Sequence, residues 1–282
     1  MMCLGVRLLT PLLVVACVLF LPLVACQSML IYMPRPYPPS TVDEWRRSYG
    51  GEVVEFTTSQ GRQRAFLQGN LESPGNLWIV AGGNATLALD WSSWLAEHAP
   101  GEDAWLLVDF PGYGESEGRP NPERIGETFR EAIPAAAESV GMGARPDPSR
   151  LRFFGHSLGA AACLIAAEEF DIRSGVLVSP FTSTMEMSRL LFGVPLGFLV
   201  THRFDNEARL DGILAGGPAD IIIVHGSHDE VVPARMGRSL AEGREEGVRL
   251  IEVEGGRHND IGVMHGEVLA RALEEARGGA GR

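Results

Sequence analysis

Short apolar runs separated by amphipathic stretches recur along most of the chain. Six of these runs have the length and the β-branched content of buried strands. They lie at residues 76–81, 104–110, 151–156, 175–179, 220–225 and 248–253. Helical patterns follow most of them, at 87–97, 122–140, 158–170, after Pro233 and at 261–277. Strands that alternate with helices predict an α/β fold: a mostly parallel, doubly wound sheet with helices on both faces.

Two segments depart from this alternation. Residues 52–58 and 62–68 flank Gln60 and Gly61, which predicts an antiparallel hairpin at the start of the sheet. Residues 181–210 are rich in Phe, Leu and Met and carry helix-breaking Gly and Pro. We interpret them as a small lid inserted over the site; an ordinary amphipathic surface helix is the alternative.

The N-terminal segment is apolar from Leu4 to Ala25 apart from Arg7 and Thr10, and it ends at Cys26. This ending resembles a bacterial lipoprotein signal, which predicts cleavage before Cys26 and lipid attachment to its sulfur. An uncleaved membrane-spanning helix and a plain secretory signal are the alternatives. All three place the remaining chain outside the cytoplasm, on the bacterial membrane if the lipid is attached, and facing the periplasm if an outer membrane is present.

The domain organisation follows from these segments. Residues 1–25 are predicted to be the signal peptide, and residues 26–50, with four prolines between Pro34 and Pro39, an extended tether. Residues 51–282 are predicted to form one large domain, and the hydrophobic residues, 45% of the whole chain, suffice for an ample core. The oligomeric state does not follow from the sequence.

Composition and charge narrow the range of partners. The formal net charge is −12 and no basic cluster stands out, so nucleic acid is not an expected partner. Three of the four cysteines lie in the N-terminal segment, and Cys163 lies in an Ala-rich helix where a buried thiol is expected. No disulfide framework or metal-ligand spacing is present, so the sequence predicts neither a cofactor nor a metal.

One motif carries the candidate chemistry. Residues 155–159 read Gly-His-Ser-Leu-Gly between an apolar strand and an Ala-rich helix, and thus fit the pattern G-x-S-x-G. Such a strand-to-helix turn pushes the hydroxyl of Ser157 out above the sheet. Side chains at Gly155 and Gly159 would collide with the neighbouring strand and helix. A serine that merely caps the helix is the alternative.

A serine hydroxyl needs a base, and the base needs a carboxylate that fixes its tautomer. Asp229 and His258 each follow a predicted strand, where the carboxyl ends of parallel strands converge. Their chain order Ser157, Asp229, His258 is that of α/β-hydrolases. Asp260 and Glu230 are alternative acids, each expected to act as a loop or capping residue instead. His156, His225 and His228 are expected to have packing or loop roles.

Five motifs together resemble the α/β-hydrolase superfamily: GGNA at 82–85, DFPGYGESEG at 109–118, GHSLG at 155–159, GSHDEVVP at 226–233 and GGRHND at 255–260. The resemblance spans about 52–276. It is nearest to bacterial esterases, serine-aminopeptidase-like hydrolases and depalmitoylating thioesterases. It implies Ser157 as nucleophile, His258 as general base and then acid, and Asp229 as its orienting carboxylate. It also implies the backbone N–H groups of Asn84 and Leu158 as the oxyanion hole. Gly82 stands where the family usually has histidine.

The expectation is therefore a membrane-anchored serine hydrolase that cleaves a small hydrophobic carboxylic ester or thioester, a palmitate ester being one example, through an acyl-enzyme. A serine peptidase acting on short peptides is one alternative, since the same residues serve amide chemistry. A lipoprotein that uses the fold as a non-catalytic binding module is the other.

Overall fold

The computed structural model describes residues 27–193 and 200–279, apart from the side chain of Leu30. Cys26 and the predicted signal peptide lie outside the described residues, so their prediction stands as made. Among the described residues, the longest apolar helices fall short of what is needed to cross a bilayer.

The sheet has eight strands in the spatial order β1-β2-β4-β3-β5-β6-β7-β8. The two contacts that involve β2 are antiparallel, and all the others are parallel. The strands are β1 Glu52–Thr58, β2 Gly61–Gly69, β3 Leu77–Ala81, β4 Ala104–Val108, β5 Leu151–His156, β6 Ser174–Val178, β7 Asp220–Gly226 and β8 Val248–Val253.

Ten α-helices lie among the described residues. They are α1 Gln27–Ile31, α2 Thr41–Tyr49, α3 Ser92–His98, α4 Pro122–Ser139, α5 Leu158–Phe170, α6 Thr184–Phe192, α7 Asn206–Ala215, α8 Ala234–Ala241, α9 Ile261–Met264 and α10 Gly266–Arg277. A 3₁₀ turn, Ala88–Trp91, leads into α3. This arrangement confirms the predicted α/β-hydrolase fold, and the predicted strands agree with the observed ones to within two residues.

The apolar runs form strands because both faces of the sheet are covered. Every residue of β3, β4, β5 and β6 is buried, and two apolar clusters fill the two sides of the sheet. Fully burying one Leu, Ile, Val or Phe side chain contributes roughly 1.5–3 kcal/mol, so such continuous runs are stable only in the centre of a layered fold. Trp78 and Trp105 stack with ring centroids 4.9 Å apart on one of these sides.

The structure corrects the expectation that residues 26–50 form an extended tether. Its described part folds onto the domain: Tyr32 is 2% exposed and Trp45 is 4% exposed. The Trp45 ring packs edge-on against Phe66, and its indole N–H donates to Gln68. The prolines keep the backbone of 34–39 extended, but the aromatic residues around them find partners on the domain. We call residues 27–40 the N-terminal strap.

The predicted helix at 261–277 is interrupted. It ends at Met264 and restarts at Gly266 because Trp94 takes the carbonyl oxygen of Gly262 as its hydrogen-bond acceptor, at 2.9 Å. Gly266 also lies against the Trp94 and His98 side chains. The interruption therefore follows from a contact with α3.

Candidate active site

The turn at Ser157 connects β5 to α5 and holds an unusual backbone conformation. Ser157 has φ 55° and ψ −115°, a backbone conformation that residues other than glycine rarely adopt. A Cβ on Gly155 would lie 2.6 Å from the carbonyl oxygen of Gly159, and one on Gly159 would lie 2.0 Å from that of Ala81. The two glycines therefore allow the strand and helix to approach closely enough to form the turn.

Three side chains that the sequence singled out meet at the carboxyl edge of the sheet. The Ser157 Oγ lies 3.0 Å from His258 Nε2, and His258 Nδ1 lies 2.8 Å from Asp229 Oδ2. Ser157 follows β5, Asp229 follows β7 and His258 follows β8, so the parallel topology brings all three loops to one edge. With the Nδ1 proton donated to the carboxylate, Nε2 is free to accept the proton of the serine hydroxyl.

The carboxylate of Asp229 is held in its ionised form. Burial raises the pKa of this carboxyl, but hydrogen bonds from His225 and His258 outweigh that effect and lower the pKa below its ordinary value. The backbone N–H groups of Val231 and Val232 donate to its other oxygen at 2.9 and 2.7 Å. A fixed negative charge beside His258 stabilises the imidazolium that forms when the ring takes a proton.

Two further histidines support this arrangement. His225 Nε2 donates to the carbonyl oxygen of Val232 at 2.8 Å and lies 3.4 Å from Asp229 Oδ2. His156 Nε2 donates to the carbonyl oxygen of His258 at 2.9 Å, while burial and the nearby His258 lower the pKa of His156 to about 4. The sequence predicted buried, packing roles for both; their contacts with residues 229 and 258 arise only from the way the loops fold.

The loop 82–87 after β3 is braced by the N-terminal strap. The Met33 N–H donates to the carbonyl oxygen of Asn84 at 3.0 Å and to the Tyr113 hydroxyl at 2.9 Å. The Tyr113 hydroxyl in turn donates to that Asn84 carbonyl at 2.6 Å. Arg35 donates to the carbonyl oxygen of Ala85 at 3.1 Å and pairs with Asp90. Sequence reasoning missed this role of the strap.

A second brace, from the end of β4, reaches the 3₁₀ turn Ala88–Trp91 that follows this loop. Asp109, just past the end of that strand, accepts hydrogen bonds from the Ala88 N–H at 2.8 Å and from the Tyr37 hydroxyl at 2.7 Å. The Leu89 N–H also donates to the Tyr37 hydroxyl, at 3.2 Å. Asp109 therefore fixes the start of the 3₁₀ turn Ala88–Trp91.

Glycine at position 82 has a steric reason in this chain. A Cβ at Gly82 would lie 2.8 Å from Thr86 Cβ, so the Thr86 side chain occupies the space that a side chain at 82 would need. Asn84 and Leu158, the two predicted oxyanion-hole residues, both border the same cavity as Ser157. Leu158 is the first residue of α5, where backbone N–H groups have no partner within the helix.

The cavity in front of Ser157 has a volume of about 560 Å³ and a mostly apolar lining. Helix α6 forms one wall through Met187, Leu191 and Phe192, and Phe181 and Val231 contribute others. Part of the predicted lid thus borders the site, whereas residues 194–199 lie outside the described residues. A cavity of this size and polarity suits an acyl chain better than a charged group.

The alternative acids take other roles. Asp260 accepts the Arg257 N–H at 2.8 Å and precedes α9, as a loop-capping acid does. Glu230 faces Arg257 and borders the cavity, but it is not bonded to the His258 ring. Within the part of the chain that the structure describes, no group of three or more His, Cys, Asp or Glu residues could hold a metal ion.

Comparison with known proteins assigns the family. The family model described as the alpha/beta hydrolase family matches residues 74–214, which is half of the chain. The chain therefore belongs to the alpha/beta hydrolase family, as its fold and its motifs predicted. The matched residues include loop 82–87, Asp109 and the turn at Ser157.

Individual relatives share less than a third of their aligned residues with this chain. A protein of Mycobacterium tuberculosis (strain H37Rv) is 28% identical over 249 residues, covering 88% of this chain and 85% of that protein. Human alpha/beta hydrolase domain-containing protein 17B is 29% identical over 163 residues, covering 58% of this chain and 52% of that protein. The Pyrococcus furiosus esterase Pf2001 superimposes with a TM-score of 0.67 at 16% identity, covering 87% and 95% of the two chains, and thus shares the fold. The family model thus makes the chain an alpha/beta hydrolase, and esterases are among its structural neighbours.

Proposed function

We propose that this protein is a serine hydrolase that cleaves carboxylic esters or thioesters of hydrophobic acyl groups. The observation that carries the proposal is the hydrogen-bonded series from Ser157 Oγ through His258 to Asp229, opening onto a mostly apolar cavity. The esterase neighbours support the same reaction class.

The chemistry follows from the geometry. The Ser157 oxygen attacks the carbonyl carbon of the substrate while His258 Nε2 takes its proton, and the carbonyl oxygen becomes an oxyanion facing the N–H groups of Asn84 and Leu158. The intermediate collapses by breaking the bond to the leaving oxygen or sulfur, which receives the proton from His258. Water then attacks the carbonyl carbon of the acyl-serine and gives one proton to His258. The bond from that carbon to Ser157 Oγ breaks, His258 returns the proton to Oγ, and the acid is released.

A fluorophosphonate probe tests the nucleophile. We expect the probe to label the wild-type protein and Ser139→Ala, an exposed serine on α4, but not Ser157→Ala. Hydrolysis of a 4-nitrophenyl ester should fall by at least ~10⁴-fold in Ser157→Ala, since the remaining groups only stabilise the oxyanion. An unlabelled wild type, or labelling that persists in Ser157→Ala, would contradict the proposal.

A substrate panel tests the acyl specificity. The apolar lining predicts that kcat/KM rises from acetyl to octanoyl esters, by up to roughly fourfold per methylene buried. Thioesters of the same acyl groups should also be cleaved, and aminoacyl amides should be poor substrates. A flat profile across acyl length would remove the hydrophobic acyl group from the proposal, and faster cleavage of aminoacyl amides would indicate a peptidase.

The membrane anchor is part of the same proposal. The apolar segment that ends at Cys26 supports a lipid on the Cys26 sulfur and a location on the outer side of a bacterial membrane. Mass spectrometry of the N-terminal peptide from membranes should find diacylated Cys26 as the first residue. A peptide that starts at Met1 would indicate a spanning helix instead.

A further inference from the structure

The N-terminal strap and α6, which both contribute residues to the wall of the cavity in front of Ser157, carry exposed apolar side chains. Met29 and Met33 project from the N-terminal strap, and Leu190, Leu191 and Phe192 project from the end of α6, each at least 40% exposed. Leu191 and Phe192 also line the cavity in front of Ser157. Exposed apolar side chains that cluster around one opening indicate an interaction surface.

The loops after β7 and β8 complete this surface. Val231 lines the same cavity, and Val263, which is 83% exposed, lines an adjoining cleft that shares His258 with it. Met264 follows directly and is 69% exposed. Together with the five residues of the strap and α6, these three make up all the strongly exposed large apolar side chains of the described residues. We call the eight residues the apolar rim.

The course of the chain indicates what the rim contacts. Gln27 lines the cavity, and its side-chain oxygen accepts hydrogen bonds from the Thr201 N–H at 2.7 Å and the Thr201 hydroxyl at 3.0 Å. Cys26 lies one peptide unit before Gln27, about 3.8 Å from Cα to Cα, and the apolar run 4–25 precedes it. An anchor that held residue 26 at a bilayer would therefore also bring the wall of the cavity to that bilayer.

The charges near the rim favour contact with neutral lipid. Arg35 pairs with Asp90, Arg189 with Glu186 and Arg257 with Glu230, so these guanidinium groups already have partners. The net charge of −12 opposes attraction to anionic lipid headgroups. Burial of apolar side chains is then the main favourable contribution to the free energy of binding between the rim and a membrane.

We propose that the apolar rim docks on the surface of a lipid bilayer, so that the cavity opens toward the lipid and receives acyl esters from the membrane itself. This inference rests on the proposed function for its substrate, but the docking can be measured without catalysis.

Site-specific labelling of the full-length protein tests the docking. Leu190→Cys and Val263→Cys place a fluorescent NBD label on two separate parts of the rim, and Ala144→Cys places it on an exposed loop at the opposite edge of the sheet. Each variant is reconstituted with phosphatidylcholine vesicles with or without doxyl-labelled lipid, and the signal of the parent protein is subtracted. We expect a blue shift and strong quenching at both rim positions and neither at residue 144.

Two results would overturn the docking. Rim labels that are insensitive to doxyl lipid would show that the rim faces water, or is covered by residues 4–25 or a second copy. Equal quenching at all three positions would show unspecific adsorption. Since the readout does not depend on hydrolysis, a protein that the fluorophosphonate labels but whose rim is not quenched would refute the docking alone, and an unlabelled protein with a quenched rim would refute the proposed function alone.

An activity measurement tests delivery of the substrate. Met29→Ser with Met264→Ser removes two rim side chains that do not line the cavity. The rate on a long-chain ester embedded in phosphatidylcholine vesicles should fall about tenfold, whereas the rate on soluble 4-nitrophenyl butyrate should stay within twofold of wild type. Ala144→Ser should match wild type on both substrates. Unchanged hydrolysis of the vesicle-borne ester by the double variant would contradict the proposal.

Discussion

Asp109 shows how a single buried carboxyl makes the stability of the folded protein depend on pH. Burial raises the pKa of Asp109 to about 7, against the hydrogen bonds from the Ala88 N–H and the Tyr37 hydroxyl, which lower it. The side chain is 2% exposed, so little water reaches its charged form. The folded protein therefore binds this proton more tightly than the unfolded chain does.

The sign of the pH dependence follows directly. Between about pH 4 and pH 7 the folded state retains a proton that the unfolded state loses, so the free energy of unfolding falls as the pH rises. Asp109→Asn, which carries no charge at any pH, should lose this slope. Relative to that variant, wild type should lose on the order of 4 kcal/mol between pH 4 and pH 8, measured by urea unfolding across that range.

Tyr37→Phe provides the complementary variant. The Tyr37 hydroxyl lowers the pKa of Asp109 by donating to its charged form, so its removal should raise that pKa and extend the loss of stability to higher pH. Parallel stability curves for wild type and Asp109→Asn from pH 4 to pH 8 would show that the carboxyl is already ionised throughout, against this account.

At the scale of elements, the N-terminal strap and the loop after β3 form one hydrogen-bonded unit. Tyr113, fully buried, joins them through its hydroxyl, which receives the Met33 N–H and donates to the Asn84 carbonyl. Fixing this carbonyl holds the peptide plane between Asn84 and Ala85 in place. It thereby limits the movement of the preceding peptide, which carries the Asn84 N–H that the proposed mechanism uses. The strap thus connects the N-terminal end of the described residues to the loop that carries Asn84.

Tyr113→Phe tests this connection. Loss of the hydroxyl should lower kcat on a 4-nitrophenyl ester about tenfold while KM changes less than twofold, since an oxyanion contact acts on the transition state. Tyr49→Phe makes the same chemical change at the end of α2 and should leave kcat unchanged. Equal effects of the two variants on kcat, or a change confined to KM, would argue against a positioning role for Tyr113.

The elements differ in how far the sequence revealed them. Strands β3 to β6 are buried along their whole length, so their apolar runs predicted them directly. The strap was predicted to be a tether because prolines dominate its local pattern. Its partners Asn84 and Asp109 lie dozens of residues away. The end of α9 likewise depends on the contact between Trp94 and Gly262, which no local periodicity reports.

The positions of the candidate catalytic residues were predictable from the sequence, but several of their contacts were not. Ser157, Asp229 and His258 each follow a strand of a parallel sheet, so topology alone places them at one edge. The contact of His225 with Asp229 depends on the turn between them, and the wall formed by α6 depends on how that helix returns to the sheet. Chain order therefore predicts which residues share the edge of the sheet. The contacts between them and the wall of the cavity depend on three-dimensional packing.

At the scale of the whole molecule, the site lies in a protein of net charge −12, and Glu230 borders its cavity. The summed field of these charges extends over about 30 Å at 10 mM salt and about 10 Å at 100 mM. Neutral substrates are indifferent to this field, whereas anionic substrates are repelled before they reach Ser157. For the proposed ester hydrolysis, this field would therefore add long-range selection for uncharged substrates to the apolar lining of the cavity.

A matched pair of substrates, one anionic and one neutral, separates the long-range electrostatic repulsion from the effect of the apolar lining. For 4-butanoyloxybenzoate, which is anionic, kcat/KM should rise several-fold as NaCl increases from 10 to 300 mM, because salt screens the repulsion. For its neutral methyl ester, kcat/KM should change less than twofold. In Glu230→Gln most of the salt response should persist, because one charge of many has been removed. An equal response of both esters would show that salt acts on the enzyme itself, and loss of the response in Glu230→Gln would assign the repulsion to that single carboxylate.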